Sequence, residues 1–121
     1  SYYLHISHEG CYLESGAYPW EPKDLNRLRS FIATNYEELE SIIDENGLVL
    51  LGEKLKRVPN AFEAGHPAAE WLKYKFYLVE YDFSPEDLTG FNAFADAAAK
   101  AIRRFEPLRK FFSAAFVYTE E

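Results

Sequence analysis

The sequence predicts an α+β domain: an antiparallel sheet with helices packed on one face, closed by a pair of helices at the C-terminus. Three observations predict it. Residues 2–7, 11–15 and 75–82 alternate with the period of a half-buried strand. Residues 22–34, 36–46, 91–105 and 107–116 instead carry apolar side chains at helical spacing. Glycine and proline punctuate the chain between these segments, never in the middle of a strand pattern.

The first run, YYLHIS, sets Leu4 and Ile6 on one face and Tyr3 and His5 on the other. His8-Glu9-Gly10 supplies a turn in which Gly10 is free to take positive φ, and CYLES returns as the second strand of a hairpin. An aromatic connection follows, Gly16 to Pro22, stiffened by two prolines. Helix 22–34 then presents Leu25, Leu28 and Ile32 as one stripe. Asn35 reads as an N-cap with Glu38 at N3, opening a second helix over 36–46 that Gly47 ends in a left-handed cap.

Glu53 to Val58 alternates imperfectly and is expected to join the sheet. Gly65-His66-Pro67 reads as the entrance to a short helix over 67–74, with Pro67 at its first position. In 75–82, Phe76, Leu78 and Glu80 face one way, and Tyr77, Val79 and Tyr81 the other. Ser84-Pro85-Glu86-Asp87 is a helix start, and Gly90 interrupts it. Phe91, Phe94, Ala95, Ala98, Ile102 and Phe105 form the apolar stripe of helix 91–105. Pro107 is expected to break it and open the final helix, with Leu108, Phe111, Phe112, Ala115 and Phe116 inward.

A chain of 121 residues suits one domain, 1–121, and buries roughly two-thirds of its unfolded surface. Its 48% hydrophobic and 17% aromatic content exclude a disordered chain. The net charge of −7 argues against nucleic acid, and no apolar run reaches the roughly 20 residues of a membrane span. The single cysteine, Cys11, permits no internal disulfide, and no secretion signal opens the chain, which suggests the cytoplasm. The chain holds no Met and opens straight into a strand pattern, so an N-terminal portion is expected to lie outside it.

Charge inverts locally. From Lys54 to Lys75 the net charge is +3, against −10 in the remainder. Cations gathered in an acidic protein focus positive potential and steer small anions. Arg57 offers a planar fork for a phosphate or carboxylate, and Lys56, Lys73 and Lys75 add point charges. His66, beside the free N–H groups of the expected helix start, is placed to exchange a proton near neutrality.

These motifs resemble a bacterial family, domain of unknown function 2461. The likeness rests on Tyr3-Leu4-His5-Ile6 with Gly16 and Tyr18, on Leu55-Lys56-Arg57-x-Pro59 and Phe62, and on His66-Pro67. It continues through Leu72-Lys73-x-Lys75 into Phe76-Tyr77, and through Pro107-Leu108 with Phe111-Phe112. The resemblance implies that the chain is the C-terminal part of a longer family domain, whose other conspicuous motif lies in the N-terminal half. It implies no particular reaction, because the family has no established activity.

Other chemistries find little support. No Gly-x-Ser-x-Gly elbow occurs, and Cys11 sits mid-strand with no thiolate-stabilising neighbour. His5, His8 and His66 lack metal-ligand spacing, so no metal is expected. Gly52-Glu53-Lys54 lacks the spaced glycines of a phosphate-binding loop, and no cofactor is expected.

The leading expectation is therefore a binding domain for an anionic small molecule or phosphorylated group, contacted by Lys56, Arg57, His66, Lys73 and Lys75. One alternative is an enzyme with His66 as acid or base beside a Lys/Arg anion clamp. Another is a structural or protein-interaction module in which Trp20, Trp71 or tyrosines meet a partner. Oligomeric state does not follow from the sequence.

Overall fold

The computed structural model describes residues 2–19 and 21–116. In chain order it contains β1 (Tyr2–Ser7), β2 (Gly10–Ala17), α1 (Pro22–Glu45), α2 (Ala69–Leu72), β3 (Tyr77–Asp82), a 3₁₀ turn (Pro85–Leu88) and α3 (Phe91–Ala114). The strands form one antiparallel sheet in the order β1-β2-β3. The α+β architecture with helices on one sheet face is as the sequence predicts.

The hairpin register pairs Ser7 with Gly10 and Tyr2 with Ser15. A two-residue turn joins the strands, and Gly10 does not take the positive φ that the sequence led us to expect. Leu13 stands opposite Leu4 on one side and Tyr81 on the other, so one face runs across all three strands. On that face Cys11, Leu13, Tyr77 and Val79 are buried beneath α3. The opposite face carries Tyr3, His5, Tyr12 and Glu14, with His5 and Tyr12 stacked 4.7 Å apart.

At Gly16 the backbones of β2 and β3 leave no room for a side chain. It holds φ +150°, and a Cβ there would lie 1.9 Å from the Tyr77 carbonyl oxygen. Only glycine fits that position without displacing β3.

The two expected helices over 22–34 and 36–46 are instead one element, α1, kinked at Asn35 (φ −120°, ψ 23°). Asn35 does not act as the expected N-cap acceptor. Its side-chain amide donates to the Phe31 carbonyl at 2.9 Å, satisfying a group that the kink frees. Leu28, Ile32 and Leu39 are fully buried along its inner face, and Gly47 takes φ +59° just beyond its end.

The expected C-terminal pair of helices is likewise one helix, α3, with Pro107 inside it. Proline removes one backbone hydrogen bond and costs about 3 kcal/mol in a helix interior, but its ring leaves φ helical. Phe105, Leu108, Phe111 and Phe112 flank it and are all buried, at ~1.5–3 kcal/mol each. The core therefore carries the helix through the proline. The start of α3 departs from expectation too: Phe91 is 81% exposed, because the buried stripe runs through Ala97, Ala101 and Phe105.

The 3₁₀ turn keeps the predicted cap. Ser84 Oγ accepts from the Asp87 amide, and the Asp87 carboxylate accepts from the Ser84 amide at 3.0 Å, a reciprocal capping box. Asp87 also accepts from the Tyr81 hydroxyl, which ties β3 to the start of α3.

Candidate functional site

The cationic stretch lies along the sheet edge beyond β3. It is not the regular strand expected over 53–58. Leu51 exchanges both backbone bonds with Leu78, at 2.7 and 2.9 Å. Further on, the Leu55 amide donates to the Lys73 carbonyl (2.7 Å), and the Lys75 amide to the Glu53 carbonyl (2.8 Å). Between the bridges Leu51–Leu78 and Lys54–Tyr74 the register slips by one residue: Gly52 and Glu53 face Lys75, Phe76 and Tyr77, so the extra residue of this bulge lies on the 75–77 side. Gly52 takes φ +149°, and a Cβ there would meet the Phe76 carbonyl oxygen at 2.3 Å.

The same pairing shortens the predicted helix 67–74 to Ala69–Leu72 and trims strand 75–82 to Tyr77–Asp82. The backbone of Lys73 and Lys75 faces the 53–55 strip, which a helix running to residue 74 would forbid. One helical turn also makes no anion-binding N-terminus, so that part of the sequence argument falls away.

This geometry brings Lys54, Lys73 and Lys75 together, but with their own counter-charges. Glu70 accepts from Lys73 Nζ at 2.6 Å and lies 3.9 Å from Lys54 Nζ. The bond from Lys73, then its charge, holds the Glu70 carboxyl below the usual carboxylate range. Lys75 reaches Glu53 at 3.4 Å, and Lys54 Nζ stands 4.9 Å from the centre of the Tyr74 ring. Lys56 and Arg57 are exposed and have no ion-pair partner among the described residues.

His66 is half-buried in the loop that returns from Arg57, edge-on to Tyr36 and Phe62 with ring centres 6.4 and 6.1 Å away. Its Nδ1 accepts the Ala68 amide at 2.9 Å. That bond fixes the neutral ring with its proton on Nε2. His66 is thus a local cap first, and the ring atom left for other work is an N–H donor rather than a basic lone pair.

A family model described as a conserved hypothetical protein (DUF2461) matches residues 1–111. The chain belongs to the DUF2461 family. No curated protein and no solved structure matches it.

In this DUF2461 chain the structure also exposes features that the sequence reading missed. Arg29 is only 6% exposed, on the inner face of α1. Its Nη2 donates to the Tyr74 carbonyl at 2.9 Å, while its Nε has no partner. No carboxylate among the described residues pairs with it. Burial lowers its guanidinium pKa, and the Tyr77 hydroxyl opposes that shift. A signal was present: Arg29 lies four residues from Leu25 and three from Ile32, a cation at an apolar-stripe position.

At the far side of the sheet Tyr2, Glu106 and Arg109 form a chain. The Tyr2 hydroxyl donates to Glu106 at 2.5 Å, and Arg109 grips the same carboxylate with two bonds of 2.9 and 2.5 Å. Arg109 and then Tyr2 hold Glu106 down to about 2, while burial and Glu106 push Tyr2 up to about 12. An open cleft of about 260 Å³ adjoins Arg109, walled by Gly16, Tyr18, Asp24, Phe112 and Ser113. None of the five predicted contact residues lines it. On the outward sheet face, Glu14 and Glu80 stand opposite each other, and burial followed by the charges of Asp82 and Glu14 raises Glu80.

Among the described residues no group of three or more His, Cys, Asp or Glu is placed to hold a metal ion. Nor is any described helix long and apolar enough to cross a membrane. Of the aromatic side chains considered above for a partner surface, Trp20 lies outside the described residues, Trp71 is half-buried against Tyr74, and Tyr3 and Tyr18 are exposed.

Proposed function

We propose that the domain binds an anionic small molecule or phosphorylated group along the edge formed by residues 53–57 and 73–75. The observation that carries this reading is the inequality among the five cations. Lys54, Lys73 and Lys75 share the carboxylates of Glu70 and Glu53, while Lys56 and Arg57 have none. The backbone bonds at Leu55 and Lys75 hold the strip just before Arg57, whose planar guanidinium, unpaired among the described residues, is open to an incoming anion. Lys73 and Lys75 supply background potential rather than first contact, since each already has a partner. His66 contributes its Nε2–H at most.

The enzyme reading is weaker on the same grounds. A base at His66 Nε2 needs a lone pair that the bond at Nδ1 assigns to the other nitrogen.

The test is a thermal-shift series with inorganic phosphate, sulfate, citrate and nucleotides at low salt. A ligand at one hundred times its Kd adds about 2.7 kcal/mol of stability. The reading expects a rise in Tm that disappears in Arg57→Ala, with the unliganded Tm unchanged. An anion-dependent rise of equal size in Arg57→Ala and Lys56→Ala overturns it, as does the absence of any rise.

A further inference from the structure

We infer that β1 pairs antiparallel with β1 of a second copy of this chain, about a two-fold axis at Leu4, joining the two sheets into one.

The backbone comes first. Ser7 and Gly10 close a two-residue turn, so Ser7, His5 and Tyr3 direct their N–H and C=O groups toward β2. On the far side of β2, the Phe83 amide bonds the Cys11 carbonyl at 3.0 Å, in keeping with the same alternation. Tyr2, Leu4 and Ile6 therefore present theirs along the outer edge. Among the described residues β1 is the terminal strand, with nothing paired beyond it.

The side chains come next. Leu4 and Ile6 project to the sheet face that α3 covers, yet remain 43% and 70% exposed, because α3 lies over β2 and leaves β1 overhanging. The flank of α3 nearest β1 is the one whose Glu106 meets Tyr2. Helical spacing puts Phe91, Ala98 and Ile102 on that flank, and Phe91 and Ile102 are exposed there. Leu4 and Ile6 on the strand, and Phe91 and Ile102 on that flank of α3, are thus exposed apolar side chains, and an open cleft beside Ile6 is walled by Cys11, Leu88 and Phe94.

Charge selects the occupant. A two-fold contact sets each surface against its own copy, so every charge meets its like unless the register displaces it. In a chain of net charge −7, self-contact needs a segment without charge. Tyr2–Ser7 contains no Asp, Glu, Lys or Arg. Placing the axis at Leu4 sets Leu4 beside the partner's Leu4, Tyr2 beside the partner's Ile6, and Tyr3 beside the partner's His5. The first two pairings cover the exposed Leu4 and Ile6 side chains of both copies. The third extends the ring ladder in which Tyr3 already lies 6.4 Å from His5 and from Tyr12.

Sedimentation equilibrium on the 121-residue chain tests this, from micromolar to hundreds of micromolar protein. The wild type is expected to reach the mass of a dimer. Leu4→Lys and Ile6→Lys are expected to halve that mass while keeping a cooperative melt, since both side chains are exposed. Register is tested separately in a Cys11→Ala background. Leu4→Cys should oxidise to a disulfide-linked dimer, its Cα atoms within the span a disulfide bridges. Ile6→Cys, facing the partner's Tyr2, should not. A wild type that stays monomeric throughout overturns the inference and leaves the edge to a different protein. A dimer that survives Ile6→Lys overturns it as well.

Discussion

The two edges of this sheet are built on opposite plans. The edge beyond β3 is broken by the bulge opposite Gly52, carries Lys54 over the Tyr74 ring, and is laced by Glu53 and Glu70 to three lysines. Leu51 is exposed there too, but only one register step from the bulge. The β1 edge is regular over six residues, uncharged, and flanked by exposed apolar side chains. Bulges and lysines are common ways to stop an edge from pairing with another chain. One edge is therefore guarded against a further strand, while the other has no such guard. The contrast makes the charged edge a poor interface and the neutral edge a poor anion site.

The largest expected effect tests how firmly each part is built. Gly16→Ala places a methyl against the Tyr77 carbonyl inside the three-stranded pairing, at a φ that L residues rarely adopt. We expect a loss of about 3 kcal/mol from strain and overpacking together. Gly52→Ala makes a similar clash on a strip held by isolated bridges, which can shift outward, and should lose about 1–2 kcal/mol. Urea unfolding midpoints compare the two. Equal losses would mean that the outer strip is as rigid as the central strand and that the edges differ in charge alone.

Arg29 comes next, because it anchors the charged edge from inside by holding the Tyr74 carbonyl. Truncation to Ala removes that bond and leaves a void, for an expected loss of about 2 kcal/mol. Arg29→Met keeps the volume and removes a buried charge with no counter-ion. Such replacements are often neutral or stabilising by about 1 kcal/mol or more. A large loss in Arg29→Met, measured by the same midpoints, would show that the cation itself is needed there.

Most of the fold was legible because its signals are local. Alternation in 2–7 and 75–82, the stripe Leu28–Ile32 and the Ser84–Asp87 cap each depend on neighbours a few residues away. What was not legible depends on distant partners. Pro107 reads as a break until Phe105, Leu108 and Phe111 are seen packed around it. Residues 73–75 read as helix and strand until the 53–55 strip claims their backbone. The predicted site suffered most for this reason. Sequence gathered five cations into one stretch, but only tertiary contact shows that Glu53 and Glu70 already pair with three of them, Lys54, Lys73 and Lys75. Phe91 looked like core on helical spacing, and the sequence had no means of showing that α3 stops short of β1.

The acid limb distinguishes the edges by a smaller effect. Glu106 anchors Tyr2 at the start of β1 and is held down to about 2 in the folded chain. A carboxyl depressed on folding stabilises above its unfolded value near 4.5 and loses that contribution as pH falls toward 2. Stability should therefore decline across that window. Glu106→Gln should flatten this part of the Tm-against-pH curve, and Tyr2→Phe should flatten it partially. An unchanged slope in Glu106→Gln would place the acid sensitivity on other carboxylates and leave the β1 anchor out of it.

The smallest effect is expected where the charges are densest. Lys75→Ala breaks the exposed contact with Glu53, and exposed pairs of this kind change stability by less than about 0.5 kcal/mol. Lys54→Ala should be similarly quiet in urea, and molar salt should shift neither midpoint by much. Neutrality here is informative, because it separates what the lysines do from what holds the domain together. If Lys54→Ala then associates at concentrations where the anchored wild type gains nothing beyond its β1 contact, the lysine guards the edge. If association is unchanged but phosphate no longer raises Tm, the charge serves a ligand. Light scattering and a phosphate thermal shift on the same variant read both roles, and the two outcomes pull the charged edge in different directions.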